Sequence, residues 1–291
     1  MALCSVLRRM GKEAIPCSQG PFKRTEILKY EHLFTSDPVP REGARVIILD
    51  CSVPSRTGAL EDLVKSLPWA LVDHHETGEY ADKDESPGGP VFIDPKAPST
   101  TFLILKIIDA LGMEPNQEEA ELLFFGLCTD TGFFRHLDAG RYEAFETAAR
   151  LVRLGANPKT AYADIHGGKS LDSRRLLGHI LSRTESYFDG RLIFSHEEYQ
   201  ETCEFGLEGR DSDSLYQLLQ SVSGVEAIVI IRQESPEFCT IGFRSRDSVD
   251  VGSIAKSFGG GGHKNAAGLR MEGSISSLKP KIIKKFEKIF N

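Results

Sequence analysis

Apolar residues along the 291-residue chain fall into two rhythms. Three segments carry a short, nearly unbroken apolar run that ends in a polar cluster containing aspartate: RVIILDCSVPSRTG (45–58), WALVDHHETG (69–78) and LLFFGLCTDTGFF (122–134). Runs that are apolar throughout predict strands buried on both faces of a parallel sheet. The third run reads equally well as a helix entering a loop. Residues 57–67, 99–112 and 117–127 instead read as helices, the second opening on a Ser/Thr cap and closing at Gly112. Alternating strands and helices predict an α/β layer architecture with a mainly parallel sheet. Ligands of such sheets bind beyond the carboxyl ends of the strands, so Asp50, Asp73, His74, His75 and Asp130 are expected on one rim.

Two further helical patterns cover 134–160 and 170–188, after which the grammar changes near DGRLIFSH (189–196). Strands are predicted over 191–196, 225–233 and 238–246, and helices over 212–224, 251–259 and the lysine-rich 277–290. The expected organisation is a first α/β domain over 1–168, a helical connector over 169–186 and a smaller α/β domain over 187–291. At the start, Ala2, Leu3, Val6, Leu7 and Met10 form an apolar helical stripe that ends at Gly11. Nothing before it supplies a strand or a cap.

Composition narrows the function classes. A chain 40 % hydrophobic and 26 % charged is ordinary globular protein. No apolar stretch approaches the roughly 20 residues that span a bilayer, and the opening lacks the layout of a secretory signal, so no membrane is expected and the default location is cytoplasmic. The six cysteines are widely spaced with no C-x-x-C pair, which argues against a zinc cluster or a disulfide scaffold. A net charge of -7 argues against coating long nucleic acid, so any nucleic-acid substrate is expected to be short.

Aspartate and histidine crowded at strand ends suit divalent cations such as Mn²⁺ and Mg²⁺, whose ligands are carboxylate oxygen and imidazole nitrogen. Two such ions about 4 Å apart activate water and stabilise a phosphoryl transition state. Taken alone, Asp50 reads as readily as a turn or helix cap, and TDTG is similarly bland. Adjacent histidines after a buried run have no packing role, which favours a metal or phosphate role for Asp73-His74-His75.

A second signal is SFGGGGHKNAAG (257–268). Its glycines allow a ligand to approach backbone N–H groups, with His263 and Lys264 as donors; the alternative is a linker, which the small apolar residues that follow disfavour. Upstream, Arg244 and Arg246 share a strand face at period 2, as a phosphate clamp or a solvated edge.

VDHH (72–75), TDTGFFRH (129–136) and FGGGGHKNAAG (258–268) together resemble the DHH phosphoesterases, in the branch with a C-terminal DHH-associated domain that includes short-oligoribonuclease and 3′-phosphoadenosine 5′-phosphate phosphatase enzymes. The resemblance covers essentially the whole chain. It implies a two-domain α/β phosphodiesterase with two Mn²⁺ ions, Mg²⁺ being an alternative, and an active site in the inter-domain cleft. By the same resemblance Asp50 bridges the metals, His74 and Asp130 bind the second, Asp73 orients the histidine ligand, and His75 contacts the scissile phosphate. Arg244, Gly261, Gly262 and His263 then grip the terminal nucleotide phosphate, with Arg246, Ser99 and Thr100 as lesser substrate contacts.

The family pattern begins with a strand and a His-x-x-x-Asp-x-Asp motif, and this chain opens after it, by a downstream start, a truncation or degeneration. The expectation is therefore one complete metal site. The expected substrate is short RNA or a nucleotide, hydrolysed exonucleolytically with 3′-phosphoadenosine 5′-phosphate as a second substrate; a homodimer is the self-association considered. The competing readings are a cyclic- or linear-dinucleotide phosphodiesterase and a nucleotide-binding protein of impaired catalysis.

Overall fold

A computed structural model describes the chain apart from residues 23, 76–78, 81, 82, 84, 208, 247 and 291, and gives the backbone alone at Thr25 and Glu85. Residues 76–78, the end of the WALVDHHETG segment, thus lie outside the described residues. The chain divides into two compact units, Met1–Gly168 and Lys169–Asn291.

The first unit runs α1 (Ala2–Arg9), α2 (Thr25–Leu28), β1 (Val46–Leu49), α3 (Glu61–Ser66), β2 (Trp69–Asp73), β3 (Glu85–Ser86), β4 (Gly89–Ile93), α4 (Thr100–Ala110), α5 (Gln117–Asp130), α6 (Tyr142–Arg153) and α7 (Pro158–His166). Its sheet has the order β1-β2-β4-β3, with β1, β2 and β4 parallel and the short β3 antiparallel. The alternation along β2 explains the unbroken apolar run. Trp69 and Leu71 pack on one face with Ile48, Val64, Tyr80 and Val91, while Val72 packs on the other with α1, α4 and α5.

One open reading is decided here and one expectation changes. LLFFGLCTD is the C-terminal part of helix α5, the helical of its two readings. Its buried residues Ala120, Leu123, Phe124, Leu127 and Cys128 follow a helical period that the surrounding apolar residues hide. What fixes the helix is its start, where Asn116 accepts from the Glu119 N–H and the Glu119 carboxylate accepts from the Asn116 N–H. Residues 57–67 do not form one helix, because Gly58, at φ 65° within the 3-10 segment Pro54–Leu60, breaks the helical path ahead of α3. By contrast α4 begins as expected, with Ser99 Oγ accepting from the Phe102 N–H at 3.1 Å.

The second unit runs α8 (Leu171–Ser182), β5 (Glu185–Tyr187), β6 (Leu192–Glu197), α9 (Tyr199–Phe205), α10 (Ser212–Gln220), β7 (Ala227–Ser235), β8 (Phe238–Ser245), α11 (Val251–Lys256), β9 (Gly261–His263), β10 (Ala266–Glu272) and α12 (Ile275–Phe290). Its six-stranded sheet has the order β5-β6-β7-β8-β10-β9, in which only β6 and β7 are parallel neighbours. Leu176, Ile180, Leu215 and Leu219 of α8 and α10 cover one face over Ile228 and Ile230. Val251 and Ile254 of α11 and Leu278, Ile282 and Phe286 of α12 cover the other, over Val229, Ile231 and Phe243.

Candidate active site

Four of the five rim residues arrive at strand ends and one at a helix end. Asp50 follows β1 in a left-handed conformation, φ 58°, which a non-glycine residue adopts only at a cost that its surroundings must offset. Its N–H is held by the Val72 carbonyl at 3.0 Å, and its Oδ1 accepts from Thr100 Oγ1 at 2.7 Å. Asp73 closes β2 and leads directly into His74 and His75. Asp130 reaches the same place as the last residue of α5, which corrects its expected strand-end position.

The resulting cluster is short of internal partners. One ligand atom from each of Asp50, Asp73, His74 and His75 lies within 4.8 Å of the others. His74 Nδ1 faces the Ala97 carbonyl at 3.4 Å. A carbonyl can only accept, so Nδ1 carries a proton, and in the neutral ring Nε2 holds the lone pair. That lone pair faces Asp50 Oδ1 at 3.6 Å and Asp130 Oδ2 at 3.9 Å, both beyond hydrogen-bond range. Burial and the Asp50 charge push the Asp130 carboxyl up to about 6, with His74 and His75 opposing them. Converging carboxylates and an unpaired imidazole nitrogen fit a divalent cation, with Asp50, His74 and Asp130 as the donors that surround the gap.

Asp73 differs from its expected role. It is fully buried, and its Oδ1 accepts from the His74 N–H at 2.7 Å, the His75 N–H at 3.2 Å and His75 Nδ1 at 2.7 Å. It therefore orients the His75 ring and only the backbone of His74, whose ring is set by Ala97. The reason is reach: a carboxylate folded over the next two amides meets the ring two residues on. Its Oδ2 is buried without a hydrogen-bond partner among the described residues. The hydrogen bond to Asp73 raises the His75 pKa above its ordinary value, burial opposing, and the ring is 43 % exposed.

The small polar pair splits. Thr100 touches Asp50, whereas Ser99 is fully buried and its hydroxyl is taken by the α4 cap and by Thr101 Oγ1 at 2.9 Å, so it does not meet substrate.

In the second unit, the glycine run is less free than a phosphate loop. The N–H groups of Gly259 and Gly260 close α11 on the Lys256 and Ala255 carbonyls, and Gly259 is left-handed at φ 84°. Gly261, Gly262 and His263 are strand β9, at the edge of the sheet. Gly262 is required by packing, since a Cβ there would lie 2.5 Å from Ala267 Cα. Nothing lies within 4 Å of a Cβ built on Gly261, and His263 is exposed.

Register puts His263 opposite Ala266 and Ala266 opposite Arg244, so His263 and Arg244 share one sheet face. The Arg244 guanidinium lies 4.5 Å from the Tyr216 ring centroid. Arg246 shares that face too, but its Nη2 donates to the Gln220 carbonyl at 2.9 Å at the end of α10. It thereby caps a helix, a structural role besides the clamp expected of the two arginines. Tyr216 carried no signal in the sequence, its α10 environment being helical and otherwise bland.

The DHHA1 domain matches residues 196–291. The chain is 31 % identical over 277 residues to the bifunctional oligoribonuclease and PAP phosphatase NrnA of Thermus thermophilus, covering 94 % of this chain and 79 % of that protein. The chain belongs to the DHH phosphoesterase family. As a DHH phosphoesterase it is a metal-dependent enzyme, and the second unit carries the DHH-associated domain. It is also 28 % identical over 278 residues to the cyclic-di-AMP phosphodiesterase GdpP of Bacillus subtilis, covering 90 % of this chain but 40 % of that protein. An exopolyphosphatase-related protein of Bacteroides fragilis has the same fold, with a TM-score of 0.81 over 99 % of this chain and 88 % of that one at 20 % identity. No helix among the described residues is long and apolar enough to cross a membrane.

Proposed function

We propose that this DHH phosphoesterase hydrolyses short oligoribonucleotides with Mn²⁺, and 3′-phosphoadenosine 5′-phosphate as a second substrate. The observation that carries the reading is the His74 Nε2 lone pair facing two carboxylates it does not bond, beside an exposed, proton-bearing His75. The relative from Thermus thermophilus, named for both activities, supports this choice of substrates. When bound, Mn²⁺ supplies the charge that acidifies an attacking water and offsets charge growing on the phosphoryl oxygens.

The chain's own residues do the rest. Asp50, His74 and Asp130 hold the ion, Thr100 fixes the Asp50 carboxylate, and the Ala97 carbonyl fixes the His74 tautomer. His75, whose hold on a proton is strengthened by its bond to Asp73, is placed to give a proton to the leaving oxygen, and Asp73 keeps the ring oriented as it does so. Arg244 and His263 grip the substrate phosphate away from the scissile bond.

A second reading, hydrolysis of cyclic or linear dinucleotides, is favoured by the 28 % identity to a cyclic-di-AMP phosphodiesterase. A panel with Mn²⁺ separates them: a ribodinucleotide, a five-residue RNA, a long single strand, 3′-phosphoadenosine 5′-phosphate and cyclic-di-AMP. The proposal expects the highest kcat/KM on RNA of two to five residues. A clear preference for cyclic-di-AMP would replace it with the second reading, and equal rates on the long strand would overturn the short-substrate claim.

A further inference from the structure

Beside the rim stands an aromatic surface to which the chemistry above gives no task. Directly after Asp130 the backbone turns left-handed at three successive residues, Gly132, Phe133 and Phe134, with φ of 55°, 57° and 71°. Two phenylalanines in that region are held against a steric penalty, so surrounding contacts must define the turn. They do: Thr131 Oγ1 accepts from the Phe134 N–H at 3.1 Å, and Phe133 packs edge-on against Tyr162 with centroids 5.2 Å apart. The product of this strain is the placement of Phe134. Its ring stacks on Phe145 of α6, centroids 5.1 Å apart and planes at 27°.

Phe145 is nonetheless 55 % exposed, and Tyr142, one turn earlier on the same helix face, is 62 % exposed. Scattered exposed apolar residues need no explanation. A strained turn that sets one phenylalanine beneath another exposed one is a different matter, because folding alone gains little from it.

The surface is fastened to the metal site from two sides. Phe134 lies four residues beyond Asp130. Arg141, at the start of α6, donates from Nη1 to the Lys96 carbonyl at 2.8 Å, while the adjacent Ala97 carbonyl takes the His74 ring. Neighbouring carbonyls of one short segment thus hold the metal-facing histidine and the aromatic helix. Arg135 and His136, both exposed, flank the turn and add donors for phosphate.

We propose that Phe145, backed by Phe134 and flanked by Tyr142, is a stacking shelf for a nucleobase of the substrate next to the scissile phosphate. This rests on the phosphoesterase reading and adds what selects a nucleotide over a plain phosphodiester. Every base offers a π-face, so the shelf selects bases without selecting a sequence.

The test compares a ribodinucleotide with bis(p-nitrophenyl) phosphate, on wild type, Phe145→Ala and Phe145→Trp, with melting temperature as the check on folding. The expectation is that Phe145→Ala lowers the kcat/KM ratio of dinucleotide over the synthetic diester by about 5-fold or more, through KM, and that Phe145→Trp restores it. In parallel, quenching of a 2-aminopurine dinucleotide by metal-free protein is expected to weaken in Phe145→Ala. An unchanged ratio with unchanged quenching would overturn the shelf while leaving the phosphoesterase reading intact. Wild type inert towards both esters would overturn that reading and the shelf with it. A dimer of wild type that Phe145→Ala converts to monomer, with the ratio unchanged, would assign the stack to self-association.

Discussion

Arg244 stands over the ring of Tyr216, its guanidinium 4.5 Å from the centroid, and Gly242 is what lets the ring lie there. Gly242 and Arg244 are two apart on β8 and so on one face, and a Cβ on Gly242 would lie 2.2 Å from the Tyr216 hydroxyl oxygen. The Arg244 Nη1 donates to the Phe243 carbonyl at 2.9 Å, and a planar guanidinium so held on a ring still presents its other N–H groups to a phosphate, whereas a lysine ammonium neither stacks nor forks. Arg244→Lys is therefore expected to raise KM for a ribodinucleotide about 5- to 20-fold with kcat within about twofold, a loss of 1–2 kcal/mol. Steady-state kinetics at saturating Mn²⁺ checks it, and a variant with unchanged KM removes Arg244 from the substrate grip.

Asp73 offers a cleaner division between proton and metal. Its Oδ1 holds His75 at 2.7 Å, while its buried Oδ2 has no partner among the described residues. If it acts by orienting His75, Asp73→Asn lowers kcat by about 10- to 100-fold and leaves Mn²⁺ affinity nearly unchanged. Calorimetric titration beside kinetics reads both. A loss of Mn²⁺ affinity of similar size would instead make Asp73 Oδ2 a ligand.

How much of this could be read from the sequence follows from how local each interaction is. The VDHH strand end, the Ser99 cap and strands β6, β7 and β8 depend on neighbours in sequence, and they were legible, whereas β5, β9 and β10 were not. LLFFGLCTD read equally as strand or helix because a run apolar at nearly every position conceals its own period, while the capping box that decides for the helix lies six residues upstream. The glycine run hid its structural roles for another reason. Gly259 and Gly260 close α11, and Gly261 and Gly262 pair with β10, roles that need partners placed by the fold. The Ala97 carbonyl that orients His74 and the Tyr216 ring beneath Arg244 were invisible, one a backbone atom and the other an unremarkable helical residue.

Carboxylates of the second unit make it sensitive to acid. Burial, the largest single cause, pushes the carboxyls of Glu201, Asp211 and Glu234 up, but hydrogen bonds from Arg183, Arg174 and Arg210 respectively, added to those from neighbouring donors and to the nearby positive charge, together outweigh it and leave all three below their ordinary values of 4.5, 3.8 and 4.5. A depressed folded pKa gives stability that is complete above the unfolded value and is lost as pH falls through the folded one. These three groups are therefore expected to leave melting unchanged from pH 7 to about 5 and to make it fall steeply below about 4.5. Glu201→Gln should lose about 1–3 kcal/mol at pH 7 and show a shallower acid limb. An equally steep limb in that variant would place the acid sensitivity elsewhere.

Asp130 carries the opposite sign. Its carboxyl is pushed up to about 6 by burial and by Asp50, so in metal-free protein the ionised form is disfavoured in the folded state, and stability declines as pH rises from 3.8 towards that value. A cation between the carboxylates removes the repulsion that causes this. Asp130→Asn removes it as well, without the cation. Metal-free Asp130→Asn is thus expected to melt higher than metal-free wild type at pH 7.5, by a stabilisation on the order of 1 kcal/mol. Mn²⁺ at a hundred times its dissociation constant should stabilise wild type by about 2.7 kcal/mol and the variant far less, with kcat reduced by at least about 100-fold. Stability and function then move in opposite directions at one residue, the signature of a ligand and not of a structural carboxylate. A variant that is less stable than wild type without metal and still responds fully to Mn²⁺ would show that Asp130 supports the fold and that the ion is held by others.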